Sequence, residues 1–274
     1  MGALKNVIKT FLQLKKEEKY IPIEHKVGDS NQFSGKVALI SGGTGGIGLA
    51  IANNLAESGC KIIIAGTNKN KLEAIKKENS NYETIVMDYS KLNEIDTQFR
   101  KAISIFGQID IFISSAGVHT ENVDFWTMSP QEFERVINID LSGTYFACQA
   151  AARYMKERNI KGHILLISSS RGSEPAWSPY GISKWGINGF TKGLAQYLTP
   201  YGIIVNAIAP GSTATPLIGY KDNDYIYTNE NSQNRLVMPD EVAALAKYLV
   251  SDQANMIAGE IIHISGGRGV FDIR

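Results

Sequence analysis

The chain has 274 residues, 43% hydrophobic and 20% charged, which suits one α/β unit with a large core rather than a disordered or membrane-spanning protein. A formal net charge of +1 gives no general attraction to nucleic acid or to an anionic membrane. Two separated cysteines, Cys60 and Cys148, read as buried thiols of a cytoplasmic protein, and the four scattered histidines (His25, His119, His163, His263) suggest no metal site.

Residues 1–32 read as an appendage. Leu4, Val7, Ile8, Phe11 and Leu12 recur at helical spacing, with Lys5, Lys9, Lys15, Lys16 and Lys19 around them. The first reading is an amphipathic helix and linker packed on its own or a neighbouring subunit. The alternative is surface association of residues 1–20 with a membrane. No apolar run is long enough to span one. From Phe33 onward, short apolar runs alternate with helical patterns. Strands are predicted at 37–41, 61–65, 84–87, 111–114, 163–168, 203–207 and 260–264. Helices are predicted after Gly46 and at 72–77, 95–106, 130–157, 180–198 and 240–250. The alternation implies one α/β domain over residues 33–274, a doubly wound parallel sheet in three α/β/α layers, the Rossmann fold. An irregular stretch, 213–235, reads as a substrate loop.

The first predicted strand runs into Ser41-Gly42-Gly43-Thr44-Gly45-Gly46-Ile47-Gly48. Glycines at 42, 46 and 48 between a strand and a helix leave backbone N–H groups open to a pyrophosphate, and the helix dipole favours the anion. A dinucleotide would contact Gly42, Thr44, Gly45, Gly46, Ile47 and Gly48. The second strand ends in Gly66-Thr67-Asn68-Lys69, without the acid that would hold a ribose 2′-hydroxyl. Thr67, Asn68 and Lys69 would accept a 2′-phosphate, which favours NADP(H) and leaves NAD(H) as the alternative.

Tyr180 and Lys184 lie one helical turn apart and share a face. An ammonium beside a phenol stabilises the phenolate, so this tyrosine can give a proton to a carbonyl oxygen or take one back. A hydroxyl from Ser168-Ser169-Ser170, at the end of a strand, can donate to the same oxygen.

With these landmarks in this order, the chain from about Phe33 to its end resembles the short-chain dehydrogenase/reductase family. Ser41 to Gly48 is similar to its glycine turn, Ser114-Ser115-Ala116-Gly117 to its Asn-Asn-Ala-Gly segment, and Gly266-Gly267 to its terminal pair. The resemblance implies an NAD(P)-dependent oxidoreductase acting between a ketone and a secondary alcohol, similar to 3-oxoacyl-carrier-protein reductases. It implies Ser169, Tyr180 and Lys184 as catalytic residues, with Lys184 also on the nicotinamide ribose. It further implies cofactor contacts from Asp88 and Tyr89, from Ser115, Ala116 and Gly117, and from Pro210, Gly211, Thr213 and Thr215. Family members are commonly homotetramers, so a homo-oligomer, dimer or tetramer, is expected.

Two positions depart from the family pattern. Asp140 stands where the family has a catalytic asparagine, and an ionised aspartate only accepts hydrogen bonds. Ser114 replaces an asparagine that braces the central strands. Arg171 and Trp177 read first as an exposed arginine and a packed indole, with substrate contact as the alternative. Tyr220, Tyr225, Tyr227, Asn229 and Asn231 in the irregular loop suggest a polar, sugar-like or carrier-linked ligand. Two other functions compete, a nucleotide-sugar epimerase or dehydratase and a non-catalytic dinucleotide-binding scaffold. The short chain after Gly267 argues against the first, and the complete Ser/Tyr/Lys set against the second.

Overall fold

The computed structural model describes residues 31–121, 123–221 and 224–271, so the helix expected near the N-terminus lies outside the described residues. Seven strands form one parallel sheet: β1 (Val37–Ser41), β2 (Lys61–Gly66), β3 (Tyr82–Val86), β4 (Ile111–Ser114), β5 (His163–Ile167), β6 (Ile204–Pro210) and β7 (Ile261–Ile264). Their order is β3-β2-β1-β4-β5-β6-β7. The connecting helices are α1 (Gly46–Ala56), α2 (Lys69–Glu78), α3 (Ile95–Phe106), α4 (Pro130–Ile137), α5 (Thr144–Glu157), α6 (Pro179–Leu198) and α7 (Pro239–Leu249). The expected doubly wound α/β/α sheet is present.

Successive strand residues alternate between two covered faces, which is why the strands read as continuous apolar runs. Ile40, Ile62 and Ile64 pack with Ile51, Leu55, Val242 and Leu249 on one side. Leu39, Ile63 and Phe112 pack with Phe99, Ala147, Ala151 and Ile187 on the other. Burying each such side chain contributes roughly 1.5–3 kcal/mol. Strand order reverses between β1 and β4, so a crevice opens at their C-terminal ends.

One expected element differs. The helix predicted across 130–157 is broken into α4, a π-helical turn at Asn138–Gly143, and α5. The turn packs tightly at its end, where a Cβ on Gly143 would lie 2.5 Å from Tyr89 Cβ. Asp140 is thereby turned fully inside while Asn138 stays exposed. The irregular loop holds a short 3-10 turn, Pro216–Ile218, and pairs at Thr213 with Val237.

Tyr89 supplies a central brace at the place where Ser114 replaces the family's asparagine. Its hydroxyl donates to Ser41 Oγ at 2.7 Å and lies 3.1 Å from Ser114 Oγ. Ser41 Oγ donates to the Ile113 carbonyl at 3.3 Å, and Ser114 Oγ reaches Thr144 Oγ1 at 3.4 Å. This buried chain of hydroxyls links β1, β4 and α5 beneath the crevice. Tyr89→Phe leaves the two serines under-satisfied and is expected to lower unfolding free energy by about 1–2 kcal/mol. A lower urea midpoint at unchanged slope would register the loss; an unmoved midpoint would show that the brace has no net strength.

Candidate active site

The crevice is about 1080 Å³ and runs from the glycine turn, across the ends of β1 and β4, to the irregular loop. Gly42 adopts φ +65°, and a Cβ there would sit 2.6 Å from Ala116 N, so only glycine lets the turn meet the segment after β4. At Gly46 a Cβ would lie 2.6 Å from Thr215 Cγ2, which ties the loop after β6 to the start of α1. The N-terminus of α1 has no side-chain cap and no acid in its first turn. Its free N–H groups face the crevice wall formed by Gly45, Gly46, Ile47 and Gly48, a donor set that fits a pyrophosphate.

Most expected cofactor positions line this crevice: Gly42, Thr44, Thr67, Asp88, Tyr89, Ser115, Ala116, Gly117, Pro210, Gly211, Thr213 and Thr215 join the glycine turn there. Two do not. Asn68 caps α2, its Oδ1 accepting the Lys71 N–H at 3.1 Å, and Lys69 lies on the exposed first turn beyond it. The side chain brought to the crevice is Lys71, one half-turn further along the helix. Tyr89 reaches the crevice too, with its hydroxyl committed to the brace below.

Local sequence fixes where the expected acid/base residues fall. Ser178 Oγ accepts the Gly181 N–H at 3.2 Å and Pro179 opens α6, so Tyr180 lies in the first turn and Lys184 one turn later. Lys184 is only 5% exposed. Its Nζ donates to the Ile167 carbonyl at 3.3 Å, lies 3.7 Å from Asp140 Oδ2, and is 5.4 Å from the centre of the Tyr180 ring. Asp140 Oδ1 accepts the Val118 N–H at 2.8 Å, while Oδ2 has no hydrogen-bond partner among the described residues. Burial pushes the Asp140 carboxyl above its ordinary value, opposed by Lys184 and the Val118 N–H.

The three serines after β5 separate by their partners. Ser168 Oγ donates to Asn188 Oδ1 at 2.6 Å and serves packing. Ser169 Oγ accepts the Arg171 N–H at 3.2 Å, which leaves its own proton free. The turn after it is pressed onto α6, because a Cβ on Gly172 would lie 2.7 Å from the Lys184 carbonyl. Ser169, Tyr180 and Lys184 therefore share one end of the crevice.

The same end holds His119 and Arg268, which sequence reasoning did not pick out, beside Trp177 and Arg171. His119 stacks on Tyr180, with ring centroids 4.2 Å apart. Arg268 donates to Glu174 Oε1 at 2.7 Å and pairs with Glu230, joining the C-terminal segment to both flanking loops. Trp177 is 52% exposed and lines the crevice, so it is not the packed indole that was expected. Arg171 also lines it and pairs with Glu174 at 3.0 Å. Of the loop residues expected to meet ligand, Tyr227 lines the crevice, whereas Asn231 is buried and holds the loop by donating to the Arg235 carbonyl at 2.7 Å.

A family model for short chain dehydrogenase matches residues 36–225. The chain is 33% identical over 245 residues to the 3-oxoacyl-[acyl-carrier-protein] reductase of Aquifex aeolicus, covering 86% of this chain and 98% of that one. The solved structure of 3-ketoacyl-(acyl-carrier-protein) reductase from Brucella melitensis, complexed with NADH, is similar at a TM-score of 0.80 and 29% identity, covering 87% of this chain and 100% of that one. A variant of actinorhodin polyketide ketoreductase with NADPH is similar at a TM-score of 0.78 and 27% identity, covering 88% and 100%.

Asp140→Asn keeps an acceptor for the Val118 N–H and removes the buried negative charge beside Lys184. Loss of that charge favours the phenolate, so the limb of the rate profile set by proton donation is expected to move to lower pH, with activity retained within about tenfold. Steady-state rates across pH test this. A superimposed profile would remove Asp140 from the proton chemistry.

Proposed function

The chain belongs to the short-chain dehydrogenase family, NAD(P)-dependent oxidoreductases acting between carbonyl and CH–OH groups, and from that premise we propose that it reduces a ketone with NADPH. The observation that carries this reading is the convergence of Ser169, Tyr180 and Lys184 in the crevice that begins at the uncapped end of α1.

Ser169 donates its hydroxyl proton as a hydrogen bond to the substrate carbonyl oxygen and polarises it. NADPH held along the glycine turn would supply the hydride for the carbonyl carbon. Tyr180 passes its phenolic proton to the oxygen, and Lys184 stabilises the phenolate left behind. Asp140 and the Ile167 carbonyl hold the ammonium in place. The reverse transfer oxidises the alcohol.

Several features support the assignment of the remaining contacts. Thr67 and Lys71 take the 2′-phosphate at the end of β2, where no acid opposes it. Asp88 lies toward the adenine end, although its Oδ1 is already shared with the Ser90 N–H at 3.0 Å. Ser115, Ala116 and Gly117 would floor the centre, and Pro210, Gly211, Thr213 and Thr215 would hold the carboxamide end. Trp177, Tyr227, Leu217 and Ile218 wall the substrate end, which suits a bulky, partly apolar ketone such as a 3-oxoacyl group.

The reading includes a homo-oligomer, a dimer or tetramer. Phe133, Tyr145, Phe146, Trp185 and Tyr197 leave an aromatic face on α4, α5 and α6 that a second copy would cover. Cys60 and Cys148 are buried free thiols, with burial pushing Cys60 up to about 12, which suits a reducing cytoplasm. No helix among the described residues is long and apolar enough to cross a membrane.

Initial rates of NADPH oxidation with a 3-oxoacyl thioester and with bicyclic ring ketones test the reading. Tyr180→Phe is expected to lose at least about 100-fold in kcat while still binding NADPH. In the same assay, Lys71→Ala raises the KM for NADPH but not for NADH. Turnover that survives Tyr180→Phe, or a wild-type enzyme that prefers NADH, would contradict the corresponding part.

A further inference from the structure

One aromatic ring in the crevice has no part in the chemistry described so far. His119 lies on the strap after β4 with its imidazole stacked on the Tyr180 phenol, centroids 4.2 Å apart and planes 21° from parallel. The strap beneath it is pinned at three successive points. Val118 N–H donates to Asp140 Oδ1 at 2.8 Å, Arg135 Nη2 donates to the His119 carbonyl at 2.8 Å, and Glu121 N–H donates to Glu132 Oε1 at 2.9 Å. The imidazole itself makes no hydrogen bond among the described residues, so backbone anchoring and the stack alone set its place.

Building on the reading of Tyr180 as the proton donor, we propose that His119 is a positioning residue, whose neutral imidazole holds the phenol ring in its working orientation and whose protonation undoes that hold. The charges around it favour the neutral form. Burial first, then the charges of Lys184 on α6 and Arg171 on the turn after β5, hold His119 below the usual imidazole range. Arg135 on α4 meets the carbonyl rather than the ring, and its charge is answered by Glu132 and Glu121. Asp140 on the π-helical turn is already matched to Lys184. An imidazolium here would feel the repulsion of both cations. Activity therefore falls as pH drops through the titration of His119, and is complete above it.

His119→Phe keeps an aromatic stack that cannot titrate, and His119→Ala removes both. In NADPH-dependent reduction of a 3-oxoacyl ester followed across pH, His119→Ala is expected to lose about three- to tenfold in kcat at neutral pH, the scale of an aromatic pair. His119→Phe recovers most of that loss and lacks the acid-side fall in kcat that the wild type shows. NADPH binding, read by fluorescence, stays unchanged in both and reports that they fold. A His119→Phe profile superimposed on the wild type, or a His119→Ala variant as active as the wild type, overturns the proposal. An active Tyr180→Phe enzyme would overturn the reading of the site and the proposal with it. An inactive Tyr180→Phe with superimposed His119 profiles overturns the proposal alone.

Discussion

The Lys184 ammonium sits almost wholly inside the protein, at the C-terminal end of the sheet, and a charge that deep must be compensated by neighbours in fixed positions. The Ile167 carbonyl supplies one, at the last residue of β5, and Asp140 supplies another from the π-helical turn. Asp140 also takes the Val118 N–H, so the same carboxylate draws the strap after β4 toward the lysine. One buried cation thus brings together α6, β5, the turn between α4 and α5, and the strap that carries His119. Tyr180 is placed by the same helix, one turn away.

Beneath this site the sheet must stay level, and that task falls to uncharged groups. Tyr89, Ser41, Ser114 and Thr144 share a buried set of hydroxyl contacts across β1, β4 and α5. Burial keeps the Tyr89 phenol far above its ordinary range, so this brace stays neutral while the Tyr180 hydroxyl faces the crevice. The chain therefore places two tyrosines in opposite settings: one sealed among hydroxyls for geometry, one in the crevice beside an ammonium, where the proposed function needs a proton donor. The close approaches at Gly42, Gly46 and Gly143 set how tightly the turn, the loop and the broken helix press around them.

Much of this was legible in the residues. Strands such as Lys61–Gly66 are covered on both faces, so runs of β-branched residues had no alternative to read as. The glycine turn and the Tyr180–Lys184 spacing carry their geometry in the chain itself. The features that stayed hidden depend on contacts across the fold. The helical pattern of 130–157 runs on through Asn138–Gly143, and the break there shows in the fold, where Gly143 comes tightly against Tyr89. Asn68 was expected at the ribose, but its side chain competes for a backbone N–H and becomes a cap, which leaves the crevice to Lys71. His119 has no periodic neighbours to mark it, and Arg268 finds Glu174 some 94 residues away.

The proposed proton transfer depends most heavily on the ammonium acting on the phenol beside it. Single-turnover hydride transfer in Lys184→Met, at saturating NADPH and with cofactor occupancy measured separately, addresses that directly. A complex that still holds NADPH but transfers hydride about 100-fold or more slowly than the wild type is the predicted result. Transfer at the wild-type rate would contradict it.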